Sequence, residues 1–227
     1  MNMRNSQIPS IKKIIEWPFA SWTNILISAF LVALLLLGIV ILHDYYVTHK
    51  PLPYPIFQMP VSGVTIPHNP GFLPNSPRYL RNGVHEGIDL EVKENTSVKA
   101  ARAGKVIEVN DGGIKDGPFY DEKTIKAALE MAKAGQYERV HDIIEGRYIV
   151  IEHEKGWKTK YVHLKSIWVE VGQKVKASDT IGLSGCTGYC NEPHLHFAIY
   201  KPNGEFLGKG YDELELQLLL HKYIQTK

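Results

Sequence analysis

An uncharged apolar run near the N-terminus constrains this chain more than any other feature. Residues Asn24 to Leu42 read NILISAFLVALLLLGIVIL, with no charge and no proline. As a helix, this run would span about 28 Å, close to the hydrocarbon thickness of a bilayer. A helix of a soluble core normally keeps a polar face, and this run has none. We therefore predict a transmembrane helix over residues 24–42.

A cleaved signal peptide is the main alternative for this segment. The apolar core of a signal peptide is usually shorter, roughly 7–15 residues, and ends at a small-x-small cleavage site. Here the run passes into LHDYYVTHK, which contains no such site. The pattern therefore favours an uncleaved anchor.

The charges on either side of the run predict its orientation. Arg4, Lys12 and Lys13 precede it, whereas Lys50 follows it with Asp44 nearby. By the positive-inside rule, the N-terminus is cytoplasmic in a single-pass inner-membrane protein, and the rest of the chain is periplasmic or extracellular. Four aromatic residues stand where an interfacial belt is expected: Trp17, Trp22, Tyr45 and Tyr46.

Two patterns follow the run. Residues 48–77 are rich in proline, which favours extended, semi-rigid chain, and we interpret them as a stalk that then wraps onto the domain edge. From Gly83 onward, short β-branched runs alternate with glycines, as in VKAARAGKVIEV, RYIVIEHEKGWKTKYVHL and HLHFAIY. Regular short spacing predicts a mainly β, antiparallel domain and not alternating β and α units.

Helical spacing interrupts the β pattern twice. Between Asp121 and Glu145, apolar residues recur at helical intervals on both sides of Gly135, which predicts a helical insertion. Tyr211 to Tyr223 predicts a C-terminal helix. The predicted organisation is a cytoplasmic N-terminus (1–23), a transmembrane helix (24–42), a stalk (43–77), a catalytic domain (78–210) with its insertion (111–147), and a C-terminal helix (211–227).

Composition excludes some classes of function. The formal net charge is only +2, and no basic stripe interleaved with aromatic residues appears, so nucleic-acid binding is not expected. Two cysteines are too few for a disulfide scaffold. Cys186 and Cys190 would nevertheless lie outside the cytoplasm, where disulfides persist. The pair is either bridged or free.

Three short motifs place histidines in strand-like contexts. HEGID contains His85 and Asp89, YVHL contains His163, and HLHF contains His194 and His196. Residues two or four apart in a strand point to the same face, so His194 and His196 project together, as do His85 and Asp89 if the residues between them are extended. Zinc binds imidazole nitrogen and carboxylate oxygen, and a catalytic zinc keeps three protein ligands. The motifs supply five candidate groups, so two remain for acid and base chemistry.

The same motifs resemble those of the lysostaphin-like zinc endopeptidases, which cleave peptide bonds in bacterial cell-wall peptidoglycan. The matching text is GVHEGIDLEV, SVKAARAGKVIEV, and the stretch from YIVIEHEKGWKTKYVHL to HLHFAIY. The resemblance implies an antiparallel β-sheet domain with a groove. It implies Zn²⁺ held by His85, Asp89 and His196, with His163 and His194 acting on the attacking water and the transition state.

The chain departs from that family pattern in three places. It carries 111–147 where relatives have a short loop, Glu192 where glycine often precedes the HxH proline, and two cysteines in the loop before HxH. These differences bear on access and specificity, and not on the ligands. A long loop with its own periodicity is often functional, so the insertion is interpreted as a cover for the groove or a protein-binding surface, with a tolerated surface excursion as the alternative.

The resulting functional prediction is a membrane-anchored zinc endopeptidase that hydrolyses peptide cross-links of peptidoglycan. Two alternatives stay open, namely a groove-binding regulator of another wall hydrolase and a peptidase for glycine-rich protein substrates. Tyr161, two residues before His163, is a candidate to support the transition state, with a tyrosine packed on the sheet as the alternative.

Overall fold

A computed structural model describes residues 22–49, 55–78, 83–111 and 122–226. The chain divides into two compact units, Met1–Pro53 and Tyr54–Lys227. The predicted cytoplasmic N-terminus lies outside the described residues, as do Trp17 and the side chains of Trp22, Tyr45 and Tyr46.

The first unit contains one described helix, α1, from Trp22 to His49. Within it, Ile25–Leu42 has a mean hydropathy of 3.2 and none of it is buried. This stretch is long and apolar enough to cross a membrane, which is compatible with an anchor or with a signal sequence.

The second unit is built on an antiparallel sheet. Six strands lie in the order β10-β6-β7-β8-β12-β4, and every pairing is antiparallel. The mainly β, antiparallel fold predicted from the sequence is confirmed. These strands are β4 (Ile88–Glu91), β6 (Gly104–Asn110), β7 (Tyr148–Glu152), β8 (Lys158–Val162), β10 (Lys174–Val175) and β12 (His194–Tyr200).

Three smaller sheets complete the unit. β5 (Ser97–Lys99), β11 (Thr180–Ser184) and β9 (Leu164–Ile167) form an antiparallel sheet. β2 (Pro77–Arg78) pairs with β3 (Gly83–Val84), and β1 (Phe57–Gln58) runs parallel to β13 (Ile224–Gln225). The core is formed by one face of the large sheet, where Leu90, Leu195, Phe197 and Tyr161 are essentially unexposed.

The proline-rich segment from residue 55 onward belongs to this unit. Phe57, Val61, Ile66 and Leu73 are buried in its core, because burying large apolar side chains there is more favourable than leaving them on a solvated linker. The predicted stalk over 43–77 is therefore wrong in its second half, and the structured domain begins about twenty residues earlier than predicted.

The insertion is helical where it is described. α2 spans Glu122–Met131, a wider turn spans Ala132–Gln136, a short 3₁₀ turn spans Tyr137–Arg139, and α3 spans His141–Glu145. The chain bends at Gly135, whose φ is 82°, a conformation that glycine adopts without steric cost. Its buried residues form a small cluster separate from the main core: Ala128, Ala132, Val140 and Ile144.

The C-terminal helix, α4, spans Glu213–Tyr223. It begins with a capping box, in which the Asp212 side chain accepts from the amide of Glu215 and Glu215 reaches back to the amide of Asp212. Leu216 and Leu220 pack into the main core, so the helix covers the apolar face of the domain.

Candidate metal centre

Strand register brings the first and third histidine motifs together. β12 alternates, with Leu195 and Phe197 in the core and His194 and His196 on the opposite face. His196 lies directly across from Asp89 in the pairing of β12 with β4. Directly opposed residues of an antiparallel pair point to the same face, so the carboxylate and the imidazole meet above the sheet.

Gly87 allows the approach of the first motif to β12. A Cβ added to this residue would lie only 2.5 Å from the carbonyl oxygen of Phe197. Any side chain would therefore push the HEGID segment away from β12. The close contact with β12 therefore requires glycine between His85 and Asp89, in addition to its place in the motif.

Three potential ligand atoms converge at this point. His85 Nε2 lies 2.9 Å from Asp89 Oδ1 and 2.8 Å from His196 Nδ1, and His196 Nδ1 lies 2.9 Å from the same carboxylate oxygen. Among the residues that the structure describes, these three form the single His, Cys, Asp or Glu group whose atoms lie close enough to hold one metal ion.

The tautomer of His85 tests whether this cluster suits a cation. Its Nδ1 lies 3.0 Å from the carbonyl oxygen of Leu73, and a carbonyl can only accept, so Nδ1 carries the proton. In the neutral ring, Nε2 then has a bare lone pair that faces the Asp89 carboxylate and the Nδ1 of His196. A single proton bridges only two of these atoms, whereas one cation binds all three. The two nitrogens and one oxygen are a donor set that suits zinc.

Asp89 is held as a carboxylate. Its burial raises the pKa, but a hydrogen bond from His196 and the electrostatic effect of the neighbouring His196 and His85 rings outweigh that effect and hold the pKa well below its usual range. The second carboxylate oxygen, Oδ2, accepts from Arg78 Nη2 at 3.0 Å. Sequence reasoning missed Arg78, which lies eleven residues before Asp89 in β2 and carries no motif spacing.

His163 and His194 lie beside the three convergent residues. The ring centroids of these two histidines are 4.7 Å apart, and that of His163 is 6.4 Å from that of His196. His194 Nδ1 lies 2.8 Å from the carbonyl oxygen of Glu192, and its Nε2 is 3.8 Å from Asp89 Oδ1. His163 Nδ1 lies 2.8 Å from the carbonyl oxygen of Thr187.

Both outer histidines therefore donate Nδ1–H to a backbone carbonyl and keep Nε2 as the unprotonated nitrogen. Burial lowers the pKa of His163 to about 4, with further lowering by His194. Burial also lowers the pKa of His196 to about 3. The His163 and His196 rings are therefore neutral near neutral pH, as a proton acceptor or a metal ligand must be.

The proposal that Tyr161 supports the transition state is wrong. Tyr161 is completely buried on the core face, and its hydroxyl accepts from the amide of Ala101 at 2.8 Å and from Thr159 Oγ1 at 3.0 Å. Period-two alternation would place His163 on this same face. Instead, His163 adopts a left-handed conformation with φ of 63°, which turns its side chain to the other side of the sheet. The alternative, a tyrosine packed on the sheet, is the arrangement observed.

The two cysteines are joined in a disulfide between Cys186 and Cys190. The loop that they close precedes β12, and it supplies the Thr187 carbonyl that accepts from His163. The bridge therefore lies beside the histidines and not among the convergent ligand atoms.

The site opens into a groove of about 870 Å³. The convergent residues and both outer histidines line its floor. Other lining residues come from several parts of the domain: Gly71 and Phe72 before β2; Glu91, Val92 and Lys93 at the end of β4; Tyr137, Ile144 and Glu145 from the insertion; and Tyr189 and Cys190 from the disulfide loop. Part of the predicted insertion therefore borders the groove.

Comparisons with known proteins agree with this arrangement. Residues 83–208, more than half of the chain, match the family described as Peptidase family M23. An uncharacterized metalloprotease of Buchnera aphidicola is 34% identical over 131 residues, covering 57% of this chain and 27% of that protein. The peptidoglycan DD-endopeptidase ShyB of Vibrio cholerae is 48% identical over 58 residues, covering 26% of this chain and 14% of that protein.

Among solved structures, the catalytic domain of lysostaphin from Staphylococcus simulans matches with 27% identity and a TM-score of 0.41. The match covers 59% of this chain and 82% of that domain. In contrast, the chain aligns with less than a third of the length of the two curated relatives above.

Proposed function

The chain belongs to peptidase family M23, and from this premise we propose that it is a zinc endopeptidase that hydrolyses peptide cross-links of peptidoglycan. The observation that carries the proposal is the convergence of His85 Nε2, Asp89 Oδ1 and His196 Nδ1 within 2.9 Å of one another. Two further histidines, His163 and His194, lie beside them and line the same groove.

In this proposal His85, Asp89 and His196 hold the metal. Zinc, when bound, supplies a Lewis acid that polarises the scissile carbonyl and lowers the pKa of water. The Leu73 carbonyl orients His85, and Arg78 orients the Asp89 carboxylate. Such partners of metal ligands typically contribute ten- to hundredfold to metal affinity or activity.

His163 and His194 move the proton in this mechanism. The Nε2 of each ring is unprotonated, because Nδ1–H of each donates to a backbone carbonyl, that of Thr187 or of Glu192. One ring takes the proton of the attacking water on its free Nε2, and the Nε2–H formed in that step can then donate to the oxygen on which charge develops. Both rings have the same tautomer, so the role of base is assigned to the pair and not to one of the two histidines.

The substrate follows from the family and from the groove. The similarity to ShyB, described as a peptidoglycan DD-endopeptidase, supports a peptide of the cell wall as substrate. The groove, of about 870 Å³, is large enough to take several residues of a peptide beside the convergent ligand atoms. The five site histidine and aspartate residues are intact, which favours an active hydrolase over a groove-binding regulator.

We further propose that α1 anchors the enzyme in the inner membrane with the N-terminus in the cytoplasm. Its apolar stretch Ile25–Leu42 supports this, since a helix of that length and hydropathy is stable in a bilayer. The catalytic domain would then lie on the side of the membrane that faces the cell wall. The use of the insertion as a protein-binding surface stays a prediction.

The decisive experiment uses the full chain in detergent with purified sacculi. We expect cross-linked muropeptide dimers to be converted to monomers, identified by mass. A chelator should abolish the conversion, and stoichiometric Zn²⁺ should restore it. His163→Ala serves as a folded, zinc-loaded control without hydrolysis.

Two results would contradict the proposal. Stimulation of a second wall hydrolase without dimer cleavage would instead identify a regulator. Cleavage of glycine-rich proteins alone, with sacculi untouched, would identify the other predicted substrate class.

A further inference from the structure

The disulfide loop and the end of the insertion pack backbone against backbone. The amide of Tyr189 donates to the carbonyl of Ile144 at 2.7 Å. Gly188 and Gly146 both have positive φ, and a Cβ on Gly188 would lie 2.4 Å from the Ile144 oxygen. A Cβ on Gly146 would lie 2.4 Å from the Thr187 carbonyl. There is no space for side chains between these two segments, so their relative position is tightly defined.

Thr187 lies at the centre of this contact. Its Oγ1 accepts from the amide of Arg147 at 2.9 Å and donates to the carbonyl of Leu164 at 2.8 Å. One hydroxyl thus connects the end of the insertion, the disulfide loop and the first residue of β9. Leu164 directly follows His163, and its own amide donates to the Arg147 carbonyl at 2.9 Å.

The same residue reaches the ring of His163. The Thr187 carbonyl accepts from His163 Nδ1 at 2.8 Å, and a backbone hydrogen bond to Glu145, the last residue of α3, also acts on this ring. The Thr187 carbonyl, from the disulfide loop, therefore faces the Nδ1 side of the ring. Since a carbonyl cannot donate, it favours the tautomer with its proton on Nδ1.

We propose that Thr187 is a positioning residue for His163, joining the insertion and the disulfide loop into one clamp that keeps Nε2 unprotonated and facing the groove. This inference rests on the proposed function, in which His163 handles the proton. It also assigns a role to the insertion: its last residues support a groove histidine, in addition to bordering the groove.

A clamp is needed because His163 is in an unfavourable conformation. Its φ of 63° is uncommon for a residue with a side chain, and it persists only where the surroundings hold it. Thr187 Oγ1 makes both of its hydrogen bonds to the backbone on either side of that turn, at Arg147 and Leu164. Loss of the hydroxyl should leave the ring in place on average, while its orientation and tautomer become mixed.

The test replaces the hydroxyl and keeps the side-chain shape. Thr187→Val removes both Oγ1 hydrogen bonds, whereas Thr187→Ser retains them. Thr180→Val is the matched control, because it removes a threonine hydroxyl from an exposed strand residue outside the groove. All variants are made in the full chain, in detergent and loaded with zinc. Measurements are kcat and KM on a cross-linked muropeptide dimer, zinc content, and the ¹⁵N shifts of the labelled His163 ring.

We expect Thr187→Val to retain zinc and KM within twofold and to lose about ten- to hundredfold in kcat, the usual effect of removing a group that orients a functional histidine. Its His163 spectrum should change from one Nδ1–H tautomer to a mixture. Thr187→Ser should stay within about threefold of the wild type in kcat, and Thr180→Val should match the wild type.

Several outcomes would overturn the inference. These are an unchanged kcat in Thr187→Val, a lower kcat with an unchanged His163 tautomer, an equal loss in Thr187→Ser, or an Nε2–H tautomer in the wild type. The tautomer of His163 in the wild type tests the inference even if Thr187→Val does not fold. If the wild type cleaves no muropeptide, the proposed function fails, whereas the tautomer spectra still test the clamp.

Discussion

His85 and His163 have the same hydrogen-bonding arrangement in two very different parts of the site. Each donates Nδ1–H to a backbone carbonyl, that of Leu73 or of Thr187, and each keeps Nε2 for chemistry. His85, however, is buried beside Asp89, in a region where ordinary strand pairing sets the geometry. His163 depends on a left-handed residue, a disulfide loop and an insertion. The proposed ligand region therefore takes Asp89 and His196 from paired strands, whereas the proposed proton-handling region depends on irregular structure.

This difference teaches that the two regions should respond differently to change. Many backbone hydrogen bonds together fix a strand register. The bound metal should therefore be lost only when one of its proposed ligands is removed. The proton-handling region depends on a few side-chain contacts, so it should lose activity while the metal stays bound. The following predictions test that separation.

The largest effect is expected for the ligands themselves. Asp89→Ala and His196→Ala should each lose zinc and reduce muropeptide cleavage to background, because a catalytic site with three protein ligands does not hold the ion well with two. Zinc content by atomic absorption and cleavage by mass spectrometry check this. Glu91→Gln is the control, since Glu91 lies in the same strand and groove but outside the ligand cluster. Retention of stoichiometric zinc in His196→Ala would contradict the ligand assignment.

The next effect concerns the outer histidines. His163→Ala and His194→Ala should keep zinc and lose about 10²- to 10⁴-fold in kcat, the usual contribution of a general acid or base. Zinc content and single-turnover rates separate binding from chemistry. If either variant lost zinc as completely as His196→Ala, the separation into two regions would be wrong.

A smaller effect is expected for Arg78. Arg78→Gln removes the donor to Asp89 Oδ2, so zinc affinity should fall by about ten- to hundredfold, while kcat at saturating zinc changes little. A competitive chelator titration measures the affinity. Arg102→Gln is the control, because Arg102 pairs with the exposed Glu154 away from the groove. An equal loss of affinity in both variants would indicate a general effect of charge.

The smallest effect is expected for the disulfide. Replacing Cys186 and Cys190 with serine should lower the free energy of unfolding by about 2 kcal/mol, the chain-entropy estimate for a loop this short. Zinc content should not change, because the loop contacts His163 and not the ligands. Denaturant unfolding, with and without a reducing agent, measures the difference. Loss of zinc in the double variant would show that the two regions are coupled.

Local patterns predicted the parts of this protein that regular structure builds. The apolar run predicted α1, and period-two alternation predicted the strands and the shared face of His194 and His196. Helical spacing on both sides of Gly135 predicted the helices of the insertion. These features depend on neighbours within a few residues, and such neighbours are visible in one sequence.

The same reasoning failed where a single backbone angle or a distant contact decided the outcome. Alternation allowed Tyr161 to share the groove with His163 or to pack on the sheet, and the left-handed φ of His163 separates the two side chains. Composition assigned residues 43–77 to a stalk that then wraps onto the domain edge, but from residue 55 onward four apolar side chains among the prolines are buried in the core. No recognisable motif spacing marked Arg78 or Thr187 in the sequence, because each acts on a residue that only folding brings near.

What the sequence by itself determined is the chemistry: a histidine and a carboxylate in strands, a further histidine four residues before the carboxylate, two more histidines in motifs of their own, and an apolar segment able to cross a membrane. Only the tertiary structure decided how that chemistry is oriented. Tautomers, the support of Asp89 by Arg78 and the clamp on His163 all depend on carbonyls and side chains from other segments. Hydrogen bonds act over about 3 Å in space, and no periodicity along a chain encodes which distant residues will come that close.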